Sequence, residues 1–112
     1  MASLPILKGT LDVLVLKTLS WGPMHGFEIA TWLEQQSREG LDIEDAALYQ
    51  ALRRLEAREF LEAELGLTEN NRQARYYRLT PAGRAHLRAE TARFTQYAEI
   101  VLALLATPAH KA

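Results

Sequence analysis

The residues with the clearest chemical potential are six arginines between residues 46 and 79. They are Arg53, Arg54, Arg58, Arg72, Arg75 and Arg78. Each guanidinium group presents N–H donors in a planar fork that matches phosphate oxygens and the O6 and N7 atoms of guanine. The stretch therefore predicts recognition of a nucleic acid, provided that the surrounding elements turn these side chains outward.

The first arginines belong to a predicted amphipathic helix. Leu48, Leu52 and Leu55 recur at i, i+4 and i+7, which places them on one apolar face. The polar residues that lie largely away from that face are Gln50, Arg53, Arg54 and Arg58. One side of the helix is therefore expected to pack, while the other remains free to touch a partner.

A β-hairpin is predicted directly after this helix, because the hydrophobic period changes to two. Apolar residues alternate with glutamates over residues 61–65, and an Asn70-Asn71 turn leads to a returning strand. On that strand either Tyr76 or Tyr77 packs inward, and the alternation does not decide which. A helix with outward arginines followed by a hairpin is typical of a winged helix-turn-helix, in which the helix enters the major groove and the wing follows the backbone or minor groove.

Two helices precede this pair of elements. An irregular arm containing Pro5 is expected to lead into a nearly all-apolar helix over about residues 8–20. A turn over residues 21–26, which contains two glycines and a proline, ends this helix. His25 is predicted to be a turn residue with a satisfied imidazole. The second helix fades before residue 40, and its predicted apolar face comprises Phe27, Ile29, Ala30, Trp32 and Leu33. Asp45 is the predicted N-cap of the recognition helix.

The last predicted helix is the candidate for subunit contact. Thr80-Pro81 is a strong helix start, and the apolar pattern then continues to about Ala106. At 1.5 Å per residue this helix would extend roughly 40 Å, longer than the small domain it leaves. Its spacing of 4, 3, 4, 3 and 4 describes a heptad seam formed by Leu87, Thr91, Phe94, Ala98, Val101 and Leu105, widened by Tyr97, Ile100 and Leu104. The alternative is that the helix folds back over the first helix of its own chain, and both contacts are compatible.

The predicted fold class is thus mainly α (α+β): a winged helix-turn-helix with a two-stranded wing and a long C-terminal dimerisation helix. The DNA-binding domain is assigned to residues 1–79, the dimerisation helix to residues 80–106 and a disordered tail to residues 107–112. The 112 residues carry a net charge of −1, so a polycation that binds nucleic acid everywhere is excluded. Residues 46–79 nevertheless carry six arginines against five glutamates, so the positive charge lies where the interpretation requires it.

Catalysis is not expected from this composition. The histidines at positions 25, 86 and 110 are scattered, with no i, i+4 pair for zinc and no nucleophile beside a base. The acidic trio Asp42, Glu44 and Asp45 lacks the spacing of a Ca²⁺ loop. We therefore expect no enzyme activity, no metal and no cofactor. The absence of cysteine fits a reducing cytoplasm, and the longest apolar run, residues 100–106, is too short to cross a bilayer.

Several short motifs give the chain a resemblance to the PadR family of bacterial transcriptional regulators, in particular to short members with a single C-terminal helix. The matching residues are Gly9-Thr10-Leu11, the run from Gly22 to Ile29, Leu48-Tyr49, the run from Leu52 to Glu56, and the run from Tyr76 to Thr80 with Gly83. The resemblance implies a cytoplasmic winged-helix homodimer, held by the last and first helices, that binds double-stranded DNA at an inverted repeat and usually represses neighbouring genes.

Site residues follow from the same resemblance. Tyr49 would contact the DNA backbone, and the groove-facing candidates are Gln50, Arg53 and Arg54, with Arg72 and Arg75 on the wing. The chain departs from the family pattern at Ala46 and Ala47, where glycine and serine are common, and at Gln50, where proline is common. It also has Glu59 in place of the glycine usual at the end of the recognition helix, which implies a left-handed residue or a different helix end.

Two alternatives remain open. The chain could be a winged-helix protein-interaction module that does not bind DNA. A small aromatic effector could also occupy apolar space near the dimer axis, lined by Trp21, Trp32, Phe94 and Tyr97, although these residues could equally complete the core and the interface. The operator, the regulated genes and the choice between repression and activation are not encoded in recognisable form.

Overall fold

The computed structural model describes residues 3–110. The chain forms four helices and five strands within this range. In chain order these are β1 (Leu4–Pro5), α1 (Leu11–Leu19), β2 (Met24–His25), α2 (Gly26–Gln36), β3 (Leu41–Asp42), α3 (Asp45–Ala57), β4 (Leu61–Leu67), β5 (Gln73–Leu79) and α4 (Pro81–Leu105). The α3 helix and the β4–β5 hairpin confirm the predicted recognition helix and wing, so the α+β winged-helix class is correct.

The sheet is built around the wing. Strands β4 and β5 are antiparallel, in a register that runs from Leu61 opposite Leu79 to Leu67 opposite Gln73. Strand β2 adds to the other side of β5, which gives the order β2-β5-β4. Because β2 immediately precedes α2, this pairing fixes the start of α2 beside the wing.

The N-terminal arm is not irregular as predicted. Strand β1 pairs in parallel with β3, with Leu4 opposite Leu41 and Pro5 opposite Asp42. A further hydrogen bond of 2.8 Å runs from the Leu4 N–H to the Gly40 carbonyl. A strand of two residues has too little length to produce a recognisable alternation, so sequence periodicity could not reveal it.

The core lies between α1, α2, α3 and the domain end of the hairpin. Its fully buried side chains include Leu16, Leu19, Ile29, Leu48, Leu52, Leu55 and Leu61. The predicted apolar face of α3 is therefore confirmed. The open choice on the returning strand is also decided, because Tyr77 is 6% exposed and lies opposite Ala63, on the same face of the hairpin as Leu61. Tyr76 lies on the other face.

Three details of the helices differ from the predictions. Helix α1 begins at Leu11 rather than near Lys8, because Gly9 has a φ of +86° that interrupts the helical backbone. Glu44, not Asp45, occupies the N-cap position of α3, and Asp45 is already helical. Phe27 is 74% exposed instead of lying on the buried face of α2. It precedes the buried Ile29 by two residues, and two residues turn a helix by about 200°.

Helix α4 starts as predicted. The Thr80 hydroxyl accepts a hydrogen bond of 2.9 Å from the Gly83 N–H and donates one of 2.7 Å to the Glu59 carbonyl. Gly83 is required here because a Cβ atom on it would lie 2.1 Å from the Phe60 carbonyl oxygen. Helix α4 has 25 residues, and its distal part extends away from the domain. The molecule is 64 Å long in its largest dimension.

Beyond α4, residues 107–110 form neither helix nor strand. The predicted disordered tail extends to residue 112, and its last two residues lie outside the described part of the chain.

The alternative prediction, that α4 folds back over the first helix of its own chain, is partly correct. Its first half packs against α1, where Leu87 and Phe94 approach Val13 and Leu14 across one groove.

Glu59 follows the recognition helix with a φ of +64°, so of the two expected alternatives the structure has the left-handed residue. That conformation costs an L-residue roughly 1 kcal/mol relative to glycine. We expect Glu59→Gly to raise the free energy of unfolding by about 0.5–1 kcal/mol, measured by urea denaturation. Glu59→Ala is the matched control, because alanine keeps the strain and should bring no comparable gain. Equal stabilisation by both variants would show that the side chain, not the backbone, is responsible.

Candidate nucleic-acid interface

The solvent-facing side of α3 lies opposite its buried leucines. Tyr49, Gln50 and Arg53 are exposed on it, and the Tyr49 side chain retains 45% of its accessible surface. Leu48, Leu52 and Leu55 occupy the opposite side and are at most 1% exposed. The helix therefore presents its polar residues to solvent as a continuous surface.

A groove runs between α3 and the wing. Its volume is about 820 Å³, and it is open to solvent along its length. Three elements contribute to its walls: α3, the first residues of α2 and the end of the hairpin. The lining residues are His25, Gly26, Phe27, Tyr49, Arg53, Glu56, Thr68, Arg72, Gln73, Ala74, Arg75 and Tyr77. The groove thus brings together Tyr49, Arg53, Arg72 and Arg75, which sequence reasoning placed on two separate elements.

Tyr49 closes the end of this groove nearest α2. A Cβ atom on Gly26 would lie 2.6 Å from the Tyr49 hydroxyl oxygen and 2.7 Å from the nearest ring carbon. Only glycine at the start of α2 lets the phenol ring approach so closely. The contact holds the Tyr49 hydroxyl beside the N-terminus of α2, where the backbone N–H groups give a partial positive charge.

His25 fixes that helix terminus. Its Nδ1 atom accepts a hydrogen bond of 3.3 Å from the Glu28 N–H, and the Glu28 carboxylate accepts one of 3.1 Å from the His25 N–H. This reciprocal pair is a capping box with histidine in place of the usual serine or threonine. The imidazole ring also meets the Tyr76 ring edge to face at 5.3 Å between centroids. The prediction of a satisfied imidazole is therefore confirmed, but His25 lies in strand β2 and at the N-cap of α2 rather than in a turn.

The candidate cations divide into two groups. Within residues 3–110, no carboxylate lies within ion-pair distance of Arg53 or Arg72. Both line the groove, so they are available to an anion without breaking an internal contact. Arg72 follows the turn at the wing tip, where the Thr68 hydroxyl accepts a hydrogen bond of 3.2 Å from the Arg72 N–H.

Arg54 and Arg75, the other two candidate cations, already form ion pairs. Arg54 donates from Nη2 to the Asp12 carboxylate of α1 at 2.6 Å, and from Nε to the second oxygen at 3.4 Å. This hydrogen bond raises the pKa of Arg54 above its ordinary value, with desolvation opposing the shift. Arg75 donates to Glu56 at 2.8 Å across the groove. Helical periodicity predicted the exposure of Arg54, and the family resemblance placed Arg75 on the wing, but neither carried a signal for the partners of these arginines.

A third paired arginine lies outside the groove. Arg78 donates to Glu62 at 2.9 Å and to Glu64 at 3.3 Å. It is separated from Arg75 by three residues on one strand, so the two side chains point to opposite faces of the hairpin. Arg78 therefore belongs to the outer surface of the wing.

The exposed face of α4 is the second candidate interface. The predicted seam is half-buried at Leu87, Ala98 and Val101, whereas Phe94 is 44% and Leu105 is 78% exposed. Tyr97, which widens the seam, is 67% exposed. A groove of about 810 Å³ runs beside it, between α4 and residues 7–10. The distal half of the helix thus carries apolar side chains that its own domain does not cover.

The four aromatic residues considered for an effector site are not brought together. Phe94 and Tyr97 line the groove beside α4. Trp21 is 71% exposed on the turn after α1, and Trp32 packs against the core. The structure therefore does not form a single aromatic cavity from these residues.

Within residues 3–110, no group of three or more histidine, aspartate or glutamate side chains is arranged to hold a metal ion. Across the same range, no helix combines the length and the apolar character needed to span a membrane.

The groove residues that sequence reasoning missed include His25, Phe27, Glu56 and Thr68. His25 and Phe27 reach it only because β2 pairs with β5, a contact that no local pattern encodes. Glu56 could have been found, since it follows Tyr49 by seven residues and therefore lies on nearly the same side of the helix. Thr68 precedes the wing-tip turn, where its side-chain direction depends on the register of the hairpin.

The arrangement of α3, the preceding helices and the β4–β5 wing defines a winged helix-turn-helix regulator. The sequence matches the PadR-like family of transcriptional regulators over residues 15–89, and the chain belongs to that family. This is a family of transcription regulators rather than enzymes.

Three similar proteins illustrate the relationship. A PadR family transcriptional regulator from Eggerthella lenta is 33% identical, with a TM-score of 0.77 over 90% of this chain and 86% of that one. An uncharacterized protein from Lysinibacillus sphaericus is 29% identical over 86% of this chain and 88% of its own length. Bacillus subtilis PadR, solved in complex with operator DNA, shares the fold with a TM-score of 0.65 at 18% identity, covering 72% of this chain and 46% of that one.

Proposed function

We propose that the chain is a sequence-specific DNA-binding repressor that acts as a homodimer on an inverted repeat. The observation that carries the proposal is the groove between α3 and the wing, where Arg53, Arg72 and the Tyr49 hydroxyl face solvent together. Cations and a hydroxyl donor spaced along one groove suit the phosphate backbone, while Gln50 and Arg53 project toward base edges. Arg54 and Arg75 join this set when they exchange their internal carboxylates for DNA.

The relatives support the same function. Bacillus subtilis PadR has been solved in complex with operator DNA, and its fold is the one seen here. Repression rests on the family resemblance, in which members usually repress neighbouring genes. In this proposal residues 1–79 bind DNA, residues 80–106 join the subunits, and the partners are double-stranded DNA and a second copy of the chain.

The dimer is proposed from the exposed face of α4. Isolated helices with an uncovered apolar stripe are stabilised by burying that stripe, and a heptad spacing suits a second helix of the same kind. The seam residues Leu87, Phe94, Tyr97, Ala98, Val101 and Leu105 would then form the subunit contact. Binding to two half-sites of an inverted repeat then requires the two α3 helices to lie roughly 34 Å apart, one turn of DNA.

The direct test is selection of bound DNA from a random pool, followed by a salt titration of binding to the selected duplex. We expect a pseudo-palindromic sequence and a steep fall of affinity with salt, because phosphate contacts release counterions. Failure to recover any DNA, with no complex at low salt, would favour the protein-interaction module instead.

Arg53 should be important for binding the selected duplex. We expect Arg53→Ala to weaken binding by about 1–3 kcal/mol, since it removes an unpaired guanidinium from the groove. Fluorescence anisotropy with labelled duplex measures the change. Arg38→Ala is the matched control, because it removes the same charge at the far end of α2 from the groove. If the two variants lose affinity equally, the effect is one of net charge and Arg53 is not a contact.

Val101→Glu should convert the dimer to a monomer, because a charge would be buried without a partner in the seam. Sedimentation velocity at micromolar concentration measures the change in mass. Ala103→Glu is the control, since residue 103 lies on the opposite side of α4 and the added charge would remain in water. A Val101→Glu variant that stays dimeric would assign the interface to another surface.

A further inference from the structure

The groove that faces DNA in the proposed function contains a carboxylate. Glu56 lines it together with Arg53, Arg72 and Arg75, and it is the side chain that binds Arg75 at 2.8 Å. A carboxylate in this position repels a phosphate group that enters the groove. It also occupies the guanidinium fork that the phosphate would otherwise use.

A second carboxylate, that of Asp12, pairs with an arginine of the recognition helix. Asp12 on α1 holds Arg54 through two hydrogen bonds, the shorter of them 2.6 Å. The Asp12 and Glu56 side chains are about one third exposed, and the arginines they bind are about half exposed. Both pairs are therefore close enough to solvent to open when a competing anion arrives.

These two pairs leave the interface with little free positive charge. The recognition helix itself contains Arg53 and Arg54 against Asp45 and Glu56, so its formal charge is zero. Non-specific affinity for DNA comes almost entirely from cations that neutralise phosphates. Pairing two of the arginines internally must therefore lower the affinity for DNA of any sequence.

We propose that Asp12 and Glu56 compete with DNA phosphates for Arg54 and Arg75, and thereby limit the electrostatic affinity of the free protein for DNA. This inference rests on the proposed function. In the free protein, Arg53 and Arg72 supply the first contacts. Arg54 and Arg75 contribute only where the duplex offers acceptors placed well enough to replace the internal carboxylates.

The wing provides a matched control. Glu62 binds Arg78 at 2.9 Å, nearly the same distance as the Glu56–Arg75 pair, and both arginines lie on β5. Arg78 points to the opposite face of the hairpin from Arg75. Glu62→Gln and Glu56→Gln therefore change the net charge equally, and each removes a carboxylate partner from an arginine on the same strand. Only Glu56→Gln acts on an arginine in the groove, whereas Arg78 lies outside it and keeps its contact with Glu64 at 3.3 Å.

The experiment measures binding of the full chain to a short labelled duplex of random sequence, across a KCl titration. At about 0.15 M salt, where exposed charges are screened beyond roughly 8 Å, we expect Glu56→Gln to bind about two- to fivefold more tightly than the parent protein. The slope of log affinity against log salt should steepen by about one, which corresponds to one added phosphate contact. Asp12→Asn should shift binding in the same direction.

Glu62→Gln should change affinity by less than about twofold at the same salt concentration. Equal gains for Glu56→Gln and Glu62→Gln, or weaker binding by Glu56→Gln, would overturn the proposal. Such results would mean that net charge decides the affinity, or that Glu56 positions Arg75 for DNA. If neither the parent protein nor any variant binds duplex at low salt, the proposed function itself fails. Thermal unfolding curves confirm that each variant is folded at the temperature of the binding measurement.

Discussion

The burial of one side of α3 is the constraint on which the rest of the molecule depends. Leu48, Leu52 and Leu55 are at most 1% exposed, and their removal from water is worth several kcal/mol in a domain of this size. Because the helix has a single orientation that buries all three, Tyr49, Gln50 and Arg53 must face solvent. The surface proposed to read DNA is therefore a direct consequence of how the core is packed.

The second level of organisation joins the wing to that helix. Glu59 is a left-handed residue between α3 and the hairpin. Its carbonyl accepts a hydrogen bond from the Thr80 hydroxyl at the far end of the hairpin. The Phe60 carbonyl then accepts the Thr80 N–H at 3.1 Å and leaves room only for Gly83. These few contacts close the hairpin at its base. They set both the position of the wing tip beside α3 and the direction in which α4 leaves the domain.

The number of arginines between residues 46 and 79 overstates the positive charge that is free to bind an anion. Of the six arginines between residues 46 and 79, three form ion pairs within the chain, and their partners come from α1, α3 and β4. Surface pairs of this kind contribute little to stability, roughly 0–1 kcal/mol each. The larger consequence is electrostatic, because each pair removes one cation from the charge available to an approaching polyanion, and the Arg75–Glu56 pair does so inside the groove.

The sequence by itself determined the class of fold and most of the surface. Period and spacing were sufficient for α3, for the hairpin and for the start of α4 at Thr80, because these elements are long and their signals are local. The same spacing predicted the exposure of Arg53. The family resemblance, with Glu59 in place of a common glycine, implied either a left-handed residue or a different helix end, and the structure has the left-handed residue. Elements of two residues, such as β1 and β2, have no period and were not predicted.

Only the tertiary structure decided which charges are free. Asp12 and Arg54 are 42 residues apart, and Glu56 and Arg75 are 19 apart, so no helical or strand spacing links them. The tertiary structure also decided that Tyr77 rather than Tyr76 enters the core, because the register of the hairpin places Tyr77 on the same face as Leu61. The joining of His25 and Phe27 to the groove likewise required β2 to pair with β5. Contacts between distant segments depend on how the elements pack, and local pattern carries no information about that packing.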